Sequence, residues 1–273
     1  MADTLKKEDY AEPQCPLCMD RSGIRFIPQG RVMEKFDACT HRNDYAGAER
    51  HMLYWLAEAE AGHDRQGQFL IHNELMGLYR KTGQQEKALA SVQSALGLID
   101  EMHTGDTVSA ATAYLNAATV YDAFDMPQQS IPLFRKAECI YQSELPPDDA
   151  RFGGLYNNMG LAFAALQRFD EADGCYQKAL DVMQNAEHGA LEQAITYLNM
   201  ADALYQKLGA EDADAQINAF LDTAQELLEQ PTLTHDGYYA FVCEKCAPTF
   251  TYYGRFAYGA ELAERAKDVY AGA

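Results

Sequence analysis

The feature that most constrains this chain is a set of small residues that recurs at a step of 42 residues. Ala95, Ala137 and Ala179 close three similar segments, "EKALASVQSA", "QQSIPLFRKA" and "DEADGCYQKA". The same step relates two further sets of positions: Ala88, Ser130 and Ala172, then His72, Tyr114 and Tyr156, with Tyr197 one residue short. Such periodicity predicts a stack of similar units, because no single unit can bury its apolar face alone.

Each unit reads as two amphipathic helices joined by a turn at "KTGQQ", "AFDMPQ" or "LQRFD". The small and aromatic residues of 153–180 resemble the tetratricopeptide repeat (TPR), which has small residues at positions 8, 20 and 27 and large ones at 11 and 24. The residues that match are Gly160, Phe163, Ala172, Tyr176 and Ala179. Small residues let the paired helices approach closely, and the aromatic rings fill the gaps between them.

Residues 69–96 and 111–138 fit the same pattern. Further units are predicted around Ala48, from Tyr197 through the divergent "GAEDADAQIN", and from Phe250 to Ala266. The resemblance implies an all-α fold, a right-handed TPR superhelix of about six helix-turn-helix units, over 28–273. Residues 1–27 are predicted to form an extended N-terminal arm. The long period is similar to that of the kinesin-light-chain-like subgroup and of the bacterial peptide-sensor TPR proteins.

Asparagine recurs inside the first helices, although it is a poor helix former. Asn116, Asn158 and Asn199 all take repeat position 6, in a helix that lines the concave groove of TPR proteins. An amide offers one acceptor and two donors, so a column of amides could hold the backbone of an extended peptide of almost any sequence. The alternative is that these asparagines bond neighbouring helices and are purely structural.

The resemblance implies a peptide-binding groove that holds its ligand through this asparagine ladder. The predicted groove residues are Asn73, Arg80, Asn116, Asn157, Asn158, Asn199, Asp202 and Tyr205, with Lys81 and Asp122 as further contributors to specificity. A clamp for a C-terminal carboxylate is not expected, because the positions that would supply its Lys or Arg side chains hold other residues.

Two CxxC pairs lie near opposite ends of the sequence. Cys15 and Cys18 lie in the arm, and "CPLC" resembles half of a zinc ribbon, so they are candidate zinc ligands. Cys243 and Cys246 fall at core positions of the sixth unit, where a thiol acts as a small apolar side chain. No cofactor other than this zinc is expected.

The formal net charge of −19 disfavours nucleic acid and anionic membranes as partners. Residues 170–230 are the most acidic region, which is either a solvated face or a dock for a basic partner. No signal peptide or membrane span is evident, so a cytoplasmic location is expected. No phosphate loop, nucleophile elbow or metalloprotease motif occurs, so the chain is not expected to be an enzyme.

Together these patterns predict a non-enzymatic module that binds a protein or peptide. Two alternatives stay open at this point: a peptide-responsive regulator of another protein, and a zinc-organised assembly scaffold built on the CxxC pairs. A homo-oligomer is also left open.

Overall fold

The computed structural model describes residues 23–184 and 186–272, and across them the secondary structure is helical. Two compact units are present, Met1–Gly105 and Asp106–Ala273. The helices of the first unit are α1 Gln29–His41, α2 Tyr45–Ala61, α3 Arg65–Lys81 and α4 Gln85–Met102. The helices of the second unit are α5 Val108–Ala123, α6 Pro127–Glu144, α7 Arg151–Ala165, α8 Phe169–Met183, α9 Gly189–Leu208, α10 Ala210–Leu228, α11 Gly237–Tyr252 and α12 Phe256–Gly272.

The helices pack as consecutive antiparallel pairs. In the second unit α5 pairs with α6, α7 with α8, α9 with α10 and α11 with α12, and each first helix also contacts the first helix of the next pair. This is the packing expected of a TPR stack, and the predicted all-α class and the number of helix pairs are confirmed. The divergent segment "GAEDADAQIN" forms the cap and the first half of α10, so the fifth pair is complete despite its weak sequence signal.

The turns inside the pairs fall where the sequence predicts them, and they share a backbone feature. Gly83, Asp125 and Gln167, again 42 residues apart, all adopt left-handed backbone angles, with φ of 70°, 58° and 58°. Each reverses the chain between the two helices of its pair. Only the first of these turns uses glycine, the residue that reaches this conformation without strain.

The close approach of paired helices depends on small residues with no exposed surface. Gly160 on α7 faces Tyr176 on α8, and a Cβ added at Gly160 would lie 2.3 Å from the Tyr176 ring. The Tyr176 side chain is 1% exposed, so it has no free space to move into. The interhelical distance of this pair is therefore set by the absence of a side chain at one position.

Asp64 fixes both the start of α3 and the path of the segment before α1. Its Oδ1 accepts from the backbone N–H of Gly67 at 2.9 Å, which caps the helix, and its Oδ2 accepts from the N–H of Ile27 at 3.0 Å. The carboxylate is fully buried. Asp44 caps α2 through Gly47 in the same way but has no such second partner among residues 23–184 and 186–272.

The described part of the predicted arm, from Gly23 onward, packs on the first unit. The Arg25 N–H donates to the carbonyl of Gly62 at 2.8 Å, and Ile27 is buried. The boundary between arm and repeats at residues 27 and 28 stays a prediction, although the first helix begins at Gln29.

Candidate functional site

The asparagines predicted for the groove lie on consecutive first helices of the second unit. Asn116 is on α5, Asn157 and Asn158 are on α7, and Asn199 is on α9. Asn157 is buried, whereas the other three are half-buried. The face of α5, α7 and α9 that carries Asn116, Asn158 and Asn199 is called the amide face below.

Two of these amides are bonded to each other. The Nδ2 of Asn199 donates to the Oδ1 of Asn157 at 2.9 Å, across the contact between α9 and α7. This bond fixes the orientation of the Asn199 amide and satisfies the buried acceptor of Asn157. The carbonyl oxygen and second N–H of Asn199 make no hydrogen bond within the described residues, so this side chain combines a structural bond with free polar capacity.

Asn158 differs from its neighbour Asn157 in its hydrogen bonding. Among residues 23–184 and 186–272 its side chain makes no hydrogen bond, and it is half-buried on α7. A half-buried amide needs a partner from water or from a ligand, because unpaired polar groups cost free energy when they leave water. Of the predicted residues, Asn158 is the one whose polar atoms are most clearly available.

The predicted residues of the first unit are placed on α3. The Nδ2 of Asn73 donates to Glu74 Oε1 at 3.3 Å, and Arg80 and Lys81 are exposed in the last turn. Burial raises the pKa of the Glu74 carboxyl. These residues belong to the first unit, whereas the amide face belongs to the second.

Asp202 and Tyr205 lie on α9, one and two turns beyond Asn199, beside two tyrosines that the sequence did not single out. Tyr253 donates its phenol O–H to Asp202 Oδ1 at 2.8 Å, and the ring of Tyr205 contacts those of Tyr252 and Tyr253. Burial raises the pKa of the Asp202 carboxyl, although the bond from Tyr253 opposes the rise. The available sequence signal was the position of Tyr252, two residues beyond Phe250, the last buried aromatic residue of α11.

Asp122, near the end of α5, is the predicted groove residue with the most perturbed acidity. Its Oδ1 is buried and has no hydrogen-bond partner within the described residues. Burial raises its pKa to about 6, because the charged form is poorly solvated there.

This acidity predicts a pH-dependent stability. The folded state holds a proton on Asp122 that the unfolded chain releases from about pH 4, so the contribution of Asp122 to the free energy of unfolding should fall as the pH rises from about 4 to about 6. Asp122→Asn should remove that fall and stabilise the protein at pH 7 by about 1–2 kcal/mol, allowing for partial exposure. Urea unfolding at pH 4.5 and pH 7 measures both effects. The exposed Asp148→Asn should change neither, and an unaltered pH profile in Asp122→Asn would refute the assignment.

Of the two CxxC pairs, one lies in the described core and the other lies outside the described residues. Cys243 and Cys246 are buried in the core formed by α9–α12, as predicted, and burial raises the pKa of Cys246 to about 12. A thiol with that pKa behaves as an apolar side chain. Cys15 and Cys18 lie outside the described residues, so the zinc site there stays a prediction. Within the described residues no three His, Cys, Asp or Glu side chains form a group that could hold a metal ion.

None of the helices in the described ranges combines the length and apolar character that crossing a bilayer requires.

Residues 152–230, which include α7–α10, match the family model of the tetratricopeptide repeat. Residues 152–230 are therefore tetratricopeptide repeats. The repeat at 153–180, predicted from Gly160 and Tyr176, lies inside the matched segment, and repeats of this family are protein-interaction modules rather than catalytic domains.

The repeats are similar to those of kinesin light chains and related proteins. A protein named kinesin light chain-related 1 from Arabidopsis thaliana is 22% identical over 113 residues, which cover 41% of this chain but only 18% of that protein. The match thus spans less than a fifth of this relative's length.

Two solved structures share the fold. The structure of BtubC (BKLC) from P. vanneervenii aligns over 73% of this chain and 79% of its own, with a TM-score of 0.63 and 21% identity. A putative kinesin light chain from Podosopora anserina with nearly identical TPR-like repeats aligns over 74% and 93%, with a TM-score of 0.52 and 13% identity. At these identities the likeness shows the TPR fold alone.

Proposed function

We propose that this chain binds an extended peptide, or an extended segment of a partner protein, on the amide face of its second unit. TPR repeats are interaction modules, and this face presents a polar side chain at the same position of successive first helices. The ligand backbone offers N–H and C=O groups at a regular rise, which amides can pair with whatever the ligand sequence.

The single observation that carries the proposal is the contrast between Asn157 and Asn158. Adjacent in sequence, one is buried and bonded to Asn199, whereas the other is half-buried and has no bond within the described residues. A structural explanation accounts for the first asparagine. It does not account for Asn158, whose amide could instead bond a ligand.

The test separates the two kinds of asparagine. Peptides are selected on the wild-type protein from a random dodecapeptide library, and their affinities are measured by fluorescence anisotropy. Replacing both Asn116 and Asn158 by Ala should weaken binding about tenfold, since each hydrogen bond contributes about 0.5–1.5 kcal/mol. N-methylation of single backbone amides in a selected peptide should weaken binding at the positions that these side chains contact.

The matched control is Gln177→Ala, which removes an exposed amide from the second helix of the same pair. It should leave affinity unchanged, and circular dichroism should show that all variants fold. Equal affinities for the wild type and the double variant would contradict the proposal and return these asparagines to a structural role.

A further inference from the structure

Three tyrosine rings form a corner where α9 meets the end of α11. The planes of Tyr205 and Tyr252 cross at 87°, those of Tyr205 and Tyr253 at 74°, and those of Tyr252 and Tyr253 at 87°, with centroids 5.0–6.1 Å apart. Three rings that are nearly perpendicular to one another cannot all stack on a single flat partner. Instead they enclose a concave surface from different sides. The rings of Tyr205, Tyr252 and Tyr253 are called the tyrosine corner below.

The tyrosine corner borders a cavity that also contains a carboxylate. The cavity is a shallow cleft open to solvent, with a volume of about 480 Å³. Its lining residues are Asp202, Tyr205, Gln206, Pro248, Thr249, Tyr252 and Tyr253. The same three rings border a second cavity of about 240 Å³ on the α10 side, so they stand between two open spaces rather than inside the core.

Asp202 has no cationic partner among the described residues. Its one bond is the one it accepts from Tyr253 at 2.8 Å. The basic residues nearest in sequence to Asp202 and to Tyr253 are paired elsewhere, since Lys207 pairs with Asp170 at 2.8 Å and Arg255 with Asp222 at 2.7 Å. A half-buried carboxylate without a cation is costly, and burial accordingly raises its pKa.

We propose that the tyrosine corner and Asp202 bind a cationic side chain, arginine or lysine, of the bound peptide. The faces of aromatic rings attract cations, and a carboxylate desolvated beside them adds a charge-assisted hydrogen bond. Arginine fits both features, because its planar guanidinium stacks on rings and donates a fork of N–H groups. This assignment rests on the proposed peptide-binding function and adds to it the chemical class of one ligand residue.

The surrounding charge favours the same occupant. Residues 170–230, which include Asp202, carry 13 acidic residues against Lys178 and Lys207, within a chain of net charge −19. An acidic side chain would meet both this field and the Asp202 carboxylate. A neutral aromatic side chain could contact the rings but would leave the half-buried Asp202 carboxylate without a cation.

The test uses a small probe that does not depend on the amide face. The probe is N-acetyl-arginine N-methylamide, and its neutral counterpart is N-acetyl-citrulline N-methylamide, which has nearly the same shape. Titration into protein labelled with ¹³C at tyrosine is followed by NMR. The arginine probe should shift the Tyr252 and Tyr253 signals with a Kd of about 1–10 mM, and the citrulline probe should bind at least about tenfold more weakly.

Two variants locate the effect. Asp202→Asn keeps an acceptor for the Tyr253 phenol and should reduce binding of the arginine probe about tenfold, to the level of citrulline. Tyr252 is 64% exposed, so Tyr252→Leu should leave the core intact and weaken binding about three- to tenfold, whereas Tyr252→Phe should retain it. Asp181→Asn removes an exposed carboxylate from α8 and serves as the matched control.

The outcomes distinguish this proposal from the function on which it rests. The double variant with Asn116 and Asn158 changed to Ala should bind the arginine probe as the wild type does, even if it loses the selected peptides. If arginine and citrulline probes bind equally, or if neither shifts Tyr252 and Tyr253, the tyrosine corner is not a cation site. Peptide binding through the amide face would stand in that case, provided the library experiment supports it.

Discussion

Asp64→Ala is expected to lower the free energy of unfolding of the first unit by about 2–4 kcal/mol. The substitution removes the cap of α3, a loss of about 0.5–2 kcal/mol, and leaves the Ile27 N–H without its partner, at about 1–3 kcal/mol. Both bonds are made by one fully buried carboxylate. Urea unfolding followed by circular dichroism measures the loss as a lower midpoint with an unchanged slope.

Asp44→Ala is the control for this effect. Asp44 caps α2 through the N–H of Gly47 but bonds no second segment in the described part of the chain, so its loss should cost about 1 kcal/mol. The difference between the two variants isolates the contact with Ile27. Equal losses would mean that the segment before α1 contributes no stability through Asp64.

Gly160→Ala is expected to destabilise the second unit by about 1–3 kcal/mol, although alanine is the better helix former. The new Cβ would lie 2.3 Å from the Tyr176 ring, which is buried and must shift or force the helices apart. Thermal unfolding should show a Tm lower by several degrees, at about 2–4 °C for each kcal/mol.

A second position on the same helix provides the comparison. A Cβ added at Gly154 meets nothing within 4 Å, so Gly154→Ala should stabilise α7 by up to about 1 kcal/mol. In a Tyr176→Leu background the penalty at Gly160 should largely disappear, because the ring that the Cβ meets is gone. A penalty that persists in that background would show that Gly160 is required for a reason other than helix approach.

Much of the fold was predictable because stacking imposes its period on the sequence. Close approach of paired helices requires small side chains at fixed repeat positions. In the sequence these positions are identified by Gly160, Ala172 and Ala179. The turns at Gly83, Asp125 and Gln167 repeat at the same step. The second helix of the fifth pair was harder to see, since its acidic start resembles the first turn of many helices and lacks the repeat's consensus residues.

The candidate site was less predictable because sequence register does not reveal which polar groups bond to each other. The repeat that begins at Tyr197 is one residue short of the 42-residue period, and with this shift Asn199 takes the same repeat position as Asn158. In the structure its amide bonds Asn157, 42 residues away. The sequence did not predict the tyrosine corner for a similar reason. Tyr252 and Tyr253 contact Tyr205 and Asp202, which lie on another helix, and the sequence does not show that these residues meet.

The bond between Asn157 and Asn199 also bears on how the stack unfolds. If α9 detached from α7, the hydrogen bond from Asn199 to Asn157 would be exchanged for bonds to water, a net loss of about 0.5–1.5 kcal/mol. Fraying of one helix pair from the next therefore costs more than the lost apolar contact. Repeat arrays tend to open locally, one unit at a time, and such a cross-repeat bond joins two neighbours into a single cooperative element. In hydrogen exchange, the backbone amides of α7 and α9 should then show a common opening free energy.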